Sequence, residues 1–99
     1  MELKEVLLND DAKEYINEKS KDKSITITII NARSGWCPIL EPSVKMGKPI
    51  KASGFKLFES NGIDIYVSDQ VRPKEDRIEI GLGKFLWKKH IKVEGVSIV

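Results

Sequence analysis

The sequence predicts a mainly β fold, a small sandwich or partial barrel with one short helix near its amino terminus. Three observations carry this expectation. Alternating runs rich in β-branched or aromatic residues recur at "ITITII", "FKLF", "IDIYV" and "RIEIGL". An Asn-Gly pair stands between the second and third of these runs. Helical spacing of apolar residues occurs in a single stretch, "NDDAKEYINEK". With 99 residues, 40% of them hydrophobic and 32% charged, the chain is expected to fold as one domain over residues 1–99.

The opening "MELKEVLL" reads as a short strand. In the stretch that follows, Asn9 or Asp10 is placed to cap a helix, and Asp11 with Glu14 has capping-box spacing. Ala12, Tyr15, Ile16 and the stem of Lys19 then share one face. After the charged turn "KSKDKS", residues 25–31 form the clearest strand of the chain. Its Ile25, Ile27 and Ile29 lie on one face, and Thr26, Thr28 and Ile30 on the other.

Between residues 32 and 53 the periodicity stops, and Pro38, Pro42 and Pro49 with Gly35 and Gly47 predict an irregular loop. Loops of that length in a small domain usually carry function. Asn61 and Gly62 supply the two positive φ angles of a tight hairpin turn within "FKLFESNGIDIYVS". Past the turn "DQVRPKED", residues 77–82 alternate again, and "HIKVEGVSIV" supplies one or two closing strands with Gly95 as a bend or bulge. The total is about six strands against one helix.

Composition narrows the function classes. The 17 basic and 15 acidic residues leave a net charge of +2, too even for a dedicated nucleic-acid binder. No apolar run approaches the roughly 20 residues that span a bilayer, so neither a membrane span nor a membrane partner is expected. A single cysteine excludes an intramolecular disulfide, and "MELKEVLLNDD" carries charge where a signal peptide needs an apolar core, which makes the cytoplasm the expected compartment. The run "KFLWKKH" mixes lysines with aromatic residues in the manner of a stacking surface. With so little net charge, a strand or turn that buries Phe85, Leu86 and Trp87 is the preferred reading. "GLGK" lacks phosphate-loop spacing, and Asp64 and Glu79 read as solvent-facing strand positions.

That leaves Cys37, in "NARSGWCPILEPS". A thiol serves as nucleophile or soft-metal ligand in its thiolate form, which exposure, nearby cations and turn amides favour. Arg33 and Lys45 are the cations close in sequence. The competing reading is a small apolar side chain in the core, since free cysteine is among the most buried residue types. A closed zinc site needs about four Cys or His ligands, and His90 is the one other soft donor. Two copies of Cys37 would supply half of the ligands that an iron–sulphur cluster usually takes from protein.

The order strand, helix, "ITITIIN" strand, Gly-Cys loop, "NGIDIYVS" hairpin and closing strands resembles HesB-like domains, the fold of A-type iron–sulphur carriers. "SGWCPILEPSVKMGKP", "FKLFESNGIDIYVS" and "KFLWKKHIKVEG" are more closely similar to a small group of HesB-like (seleno)proteins with a paired Cys-Cys or selenocysteine-Cys motif. The resemblance implies a barrel-like β-sandwich with the Gly-Cys loop as its reactive edge. It makes Cys37 the candidate reactive thiol, with Arg33, Ser34, Gly35, Trp36 and Pro38 as the supporting loop. A-type carriers use three cysteines, two of them in a Cys-Gly-Cys near the carboxyl terminus, where this chain reads "KVEGVSIV". Trp36 occupies the position of the second redox atom of the paired-thiol group.

The implied function is a single-thiol module in iron–sulphur cluster handling or thiol redox chemistry. Iron or a cluster would be ligated by Cys37 only when shared across a homodimer or with an iron–sulphur or redox partner. The alternative is a non-catalytic interaction domain that keeps the fold without the metal chemistry and uses residues 33–48 as its contact surface.

Overall fold

The β-branched alternation becomes strand wherever it was found. The computed structural model describes residues 3–31, 40–51 and 53–97. Its elements in chain order are β1 (Glu5–Leu8), α1 (Asp10–Lys19), β2 (Ser24–Asn31), β3 (Leu40–Met46), β4 (Phe55–Ser60), β5 (Ile63–Ser68), β6 (Arg72–Pro73), β7 (Arg77–Phe85), β8 (Lys88–Glu94) and β9 (Val96–Ser97). The strands form a sheet of order β3-β2-β5-β4, a second of order β1-β7-β8, and the small pair β6-β9. Both larger sheets contain a parallel pair, β2 with β5 and β1 with β7.

The two larger sheets face each other as a sandwich and do not close into a barrel. Register explains the core. Ile25 and Ile27 of β2 stand beside Ile65 and Val67 of β5, so one face of that sheet is a block of branched apolar side chains. Val6 and Leu8 of β1 stand beside Ile78 and Ile80 of β7 in the other sheet. All eight are buried, together with Ala12 and Ile16 of the helix. Each buried Val, Leu or Ile among them contributes roughly 1.5–3 kcal/mol relative to its exposed state.

Asn9 caps the helix: its Oδ1 accepts from the Ala12 amide at 2.8 Å, and Asp10 and Asp11 place negative charge in the first turn, where the helix dipole favours it. With Asn9 as the cap, Asp11 and Glu14 do not form a capping box. Ala12 and Ile16 take the buried face as expected, Tyr15 is half-buried, and Lys19 stays in solvent with its ammonium 5.9 Å from the centre of the Tyr15 ring. No helix among the described residues is long and apolar enough to cross a membrane.

Nine strands among the described residues replace the expected six or so. The main correction is β3, which lies inside the stretch expected to be irregular and contains Pro42. β3 is an edge strand, and there a residue without an amide hydrogen is tolerated. β6 and β9 have two residues each, too short for any periodicity to reveal. Gly95 makes the bend between β8 and β9.

Asn61 and Gly62 form the two-residue hairpin turn, with φ of 55° and 80° and Ser60 paired to Ile63. The turn is fastened to the helix start, since Asn61 Nδ2 donates to Asp10 Oδ1 at 2.9 Å and Ser60 Oγ accepts from the Leu8 amide at 3.1 Å. Nothing lies within 4 Å of a Cβ built on Gly62, so the constraint there is conformational and not steric. Gly62→Val puts a β-branched side chain at positive φ and is expected to cost about 1 kcal/mol or more. A denaturant midpoint equal to that of the parent chain would contradict this turn.

At the other end of α1, Ser24 Oγ donates to Asp22 Oδ1 at 2.8 Å and Ser20 Oγ reaches the same oxygen at 3.0 Å. The Ser24 bond first and the Ser20 bond second hold the Asp22 carboxyl below the usual carboxylate range. A carboxylate whose folded pKa is depressed stabilises the fold above its unfolded pKa, and that contribution is lost as pH falls through the folded value. The Asp22→Asn chain should therefore lose less stability than the parent as pH falls from about 5 through 3. Parallel denaturation curves across that window check it, and identical acid dependence would remove the role assigned to Asp22.

Candidate functional site

β2 and β3 form the frame that holds the candidate thiol. They pair antiparallel from Ile25↔Met46 to Asn31↔Leu40, and the last of these pairs bounds the connection that contains Cys37. Arg33, Ser34, Gly35, Trp36, Cys37 and Pro38 themselves lie outside the described residues. The inner face of β2 is locked by Ile25 and Ile27 at 0% exposure, so the strand that leads to Cys37 is anchored in the best-packed part of the molecule. Further along the strand burial falls, from half-buried Ile29 to exposed Ile30 and Asn31.

The outer face of the same strand pair carries a feature that the sequence did not reveal. A cleft of about 460 Å³ opens there between Thr26 and Thr28 of β2, Lys45 and Met46 of β3, and Lys48 and Ile50 of the following turn. Thr26 Oγ1 donates to the Gly47 carbonyl at 2.8 Å and so fixes where that turn leaves β3. Lys45 pairs across from Thr26 and contributes a cation to the rim. The available sequence signal was the threonine face of β2, whose partner strand was hidden by its proline.

The remaining candidates are strand residues. Gly81 and Gly83 of "GLGK" lie within β7. A Cβ on Gly83 would collide with the imidazole of His90, its partner on β8, so Gly83 leaves room for that ring to lie across the hairpin. His90 is exposed, as is Glu79, whereas Asp64 is half-buried on β5. Among the described residues no group of three or more His, Cys, Asp and Glu side chains is placed to hold a metal ion. The run "KFLWKKH" corrects an expectation: Leu86 is 71% exposed and Trp87 80%, because they form the turn of a hairpin and not a buried segment. The Phe85 side chain lies outside what is described.

A sequence profile described as the CC/Se motif containing family matches residues 4–96. The chain belongs to that family. Its own sequence at the candidate site holds a single cysteine, Cys37, preceded by Trp36. No curated protein matches this member of the CC/Se motif family in sequence. Among solved structures it is similar to Escherichia coli SufA, described as involved in biosynthesis of iron-sulfur clusters, with a TM-score of 0.71 at 16% identity, over 96% of this chain and 83% of that one. At that identity the likeness establishes the fold, a mainly β-sandwich of the SufA type.

Proposed function

We propose that this CC/Se-family chain is a HesB-like single-thiol module that acts through Cys37 in iron–sulphur cluster handling or thiol redox chemistry. The observation that carries the reading is the place of the one cysteine: it falls in the connection bounded by Asn31↔Leu40, on a SufA-like sandwich, in a chain of a family described by its CC/Se motif. Arg33, Ser34, Gly35, Trp36 and Pro38 form the supporting loop in this reading.

The donor set does not fit a resident cluster. One chain offers a single thiol, and His90, exposed on β8, belongs to no group of three or more metal donors among the described residues. Iron or a cluster is therefore cargo in this reading, held between two copies of Cys37 or between Cys37 and a partner's ligands. In redox chemistry the same limit applies. The Cys37 thiolate attacks one sulphur of a partner's disulfide, the new mixed disulfide forms as the old S–S bond breaks, and the partner's other sulphur leaves as thiolate. Because Trp36 brings no sulphur, the resolving thiol comes from the partner or from a second copy.

The cleft over β2 and β3 favours a second reading, in which the fold serves as an interaction domain with residues 33–48 as its contact surface. Lys45, Met46 and Lys48 of that range line it. Thiol reactivity and mutant stability separate the two readings. If Cys37 is the working group, iodoacetamide labels it rapidly in the folded protein, and Cys37→Ser removes the labelling while stability stays within about 1 kcal/mol. Slow native labelling, with a serine chain destabilised by roughly 1–3 kcal/mol through a buried and unpartnered hydroxyl, would assign Cys37 to packing and leave the interaction reading standing.

A further inference from the structure

The outer half of the β7–β8 hairpin carries an apolar surface that stays exposed among the described residues. β1 accompanies β7 only from Arg77 to Ile80, so the later residues continue as a two-stranded ribbon. Its turn has two residues, with Phe85 paired to Lys88, and it displays Leu86 and Trp87 at 71% and 80% exposure. Exposed lysines surround this apex: Lys84 faces Lys89 across one side of the ribbon, and Lys88 lies on the other. Beside the ribbon runs a surface of opposite sign. Asp11, Glu14 and Glu18 share one face of α1 and, with Tyr15, Leu82 and Lys89, line a cleft of about 280 Å³ between helix and ribbon. The Tyr15 hydroxyl donates to the Lys89 carbonyl at 3.4 Å at that seam. Among the described residues no ion pair joins these carboxylates to the three lysines.

We propose that a second copy of this chain covers this surface, the hairpin tip of each copy seating in the helix–ribbon cleft of the other. Tip and cleft are neighbours on one side of the molecule. A two-fold axis between them brings each tip onto the partner's cleft in a single self-complementary contact. Leu86 and Trp87 then bury against Tyr15 and Leu82, while Lys84 and Lys88 meet the carboxylates of Asp11, Glu14 and Glu18. An anionic membrane or a nucleic acid is the poorer occupant, because either one, on reaching the lysines, would meet three carboxylates beside them. The contact deepens the single-thiol reading, which calls for a second sulphur, yet its own geometry does not involve Cys37.

Sedimentation velocity over a concentration series tests it. The parent chain is expected to dimerise, less strongly as salt rises. Trp87→Ser, at a site too exposed to endanger folding, should weaken association about tenfold or more. A chain with Lys84→Glu and Lys88→Glu should be monomeric, and so should one with Glu14→Lys and Glu18→Lys. An equimolar mixture of the two should form a heterodimer, since both tip–cleft contacts are then between opposite charges. Circular dichroism and denaturant midpoints confirm that each variant is folded. A monomeric parent, undiminished dimers of Trp87→Ser, or folded charge-reversed chains that stay monomeric on mixing would each overturn the proposal. Binding of the tip to phosphatidylglycerol vesicles or to a single-stranded oligonucleotide in place of dimerisation would also overturn it. Cys37→Ser should dimerise like the parent; a parent dimer with an inert thiol would refute the thiol reading alone, and a parent monomer with a reactive thiol would refute the interface alone.

Discussion

The contact on which everything else rests is the branched apolar seam between the two larger sheets. Ile25, Ile27, Ile63 and Ile65 come from one sheet and Ile78 and Ile80 from the other, with Ile16 of the helix completing it, all at 0–1% exposure. β-Branched side chains have few rotamers to lose and pack well on a pleated surface, so a core rich in isoleucine sets the strands' register as well as holding them together. A one-residue slip of β2 would exchange Ile25 and Ile27 for Thr26 and Thr28 and place hydroxyls in the core. The same alternation that builds the core thus assigns the threonines and Lys45 to the outer cleft.

Much of this was legible in the sequence where one local rule decided the outcome. The helix, with Asn9 as one of its two candidate caps, β2 and the Asn61-Gly62 turn follow from spacing and from φ preferences that neighbours do not alter. β3 was hidden because the rule against proline in strands depends on where the strand sits, and its place at an edge is a tertiary fact. Leu86 and Trp87 misled for a related reason. Hydrophobicity measures the preference of a side chain for burial, whereas their exposure follows from their position in the turn of a ribbon that outruns its supporting strand. Of the candidate site, the sequence supplied the thiol and its loop, and the structure adds the β2–β3 frame that bounds them. The cleft beside that frame could not be read from sequence, because it takes residues from two strands and a turn.

The packed core and the connection that contains the candidate thiol are kept apart in this arrangement. The packed residues of β2 lie between Ser24 and Ile27, and burial falls steadily toward Asn31, where the thiol-bearing connection begins. Substitutions at the Asn31 end of the strand are therefore remote from the seam that holds the sheets. The β7–β8 hairpin repeats the pattern: Ile78 and Ile80 anchor it in the core, and Leu86 and Trp87 at its far end are free to evolve with whatever they meet.

The parallel pairing of β1 with β7 also bears on how the chain acquires its structure. Glu5 to Leu8 find their partners only at Arg77 to Ile80. When the ribosome releases β1, the strand it needs has yet to be synthesised, and Val6 and Leu8 must wait without a permanent cover. Local pieces such as the β4–β5 hairpin close early and cheaply, whereas a pairing of such sequence separation is slow because the whole intervening chain has to be ordered first. Folding of this sandwich is thus completed after translation has passed β7, and until then Val6 and Leu8 are open to chaperones and to wrong partners.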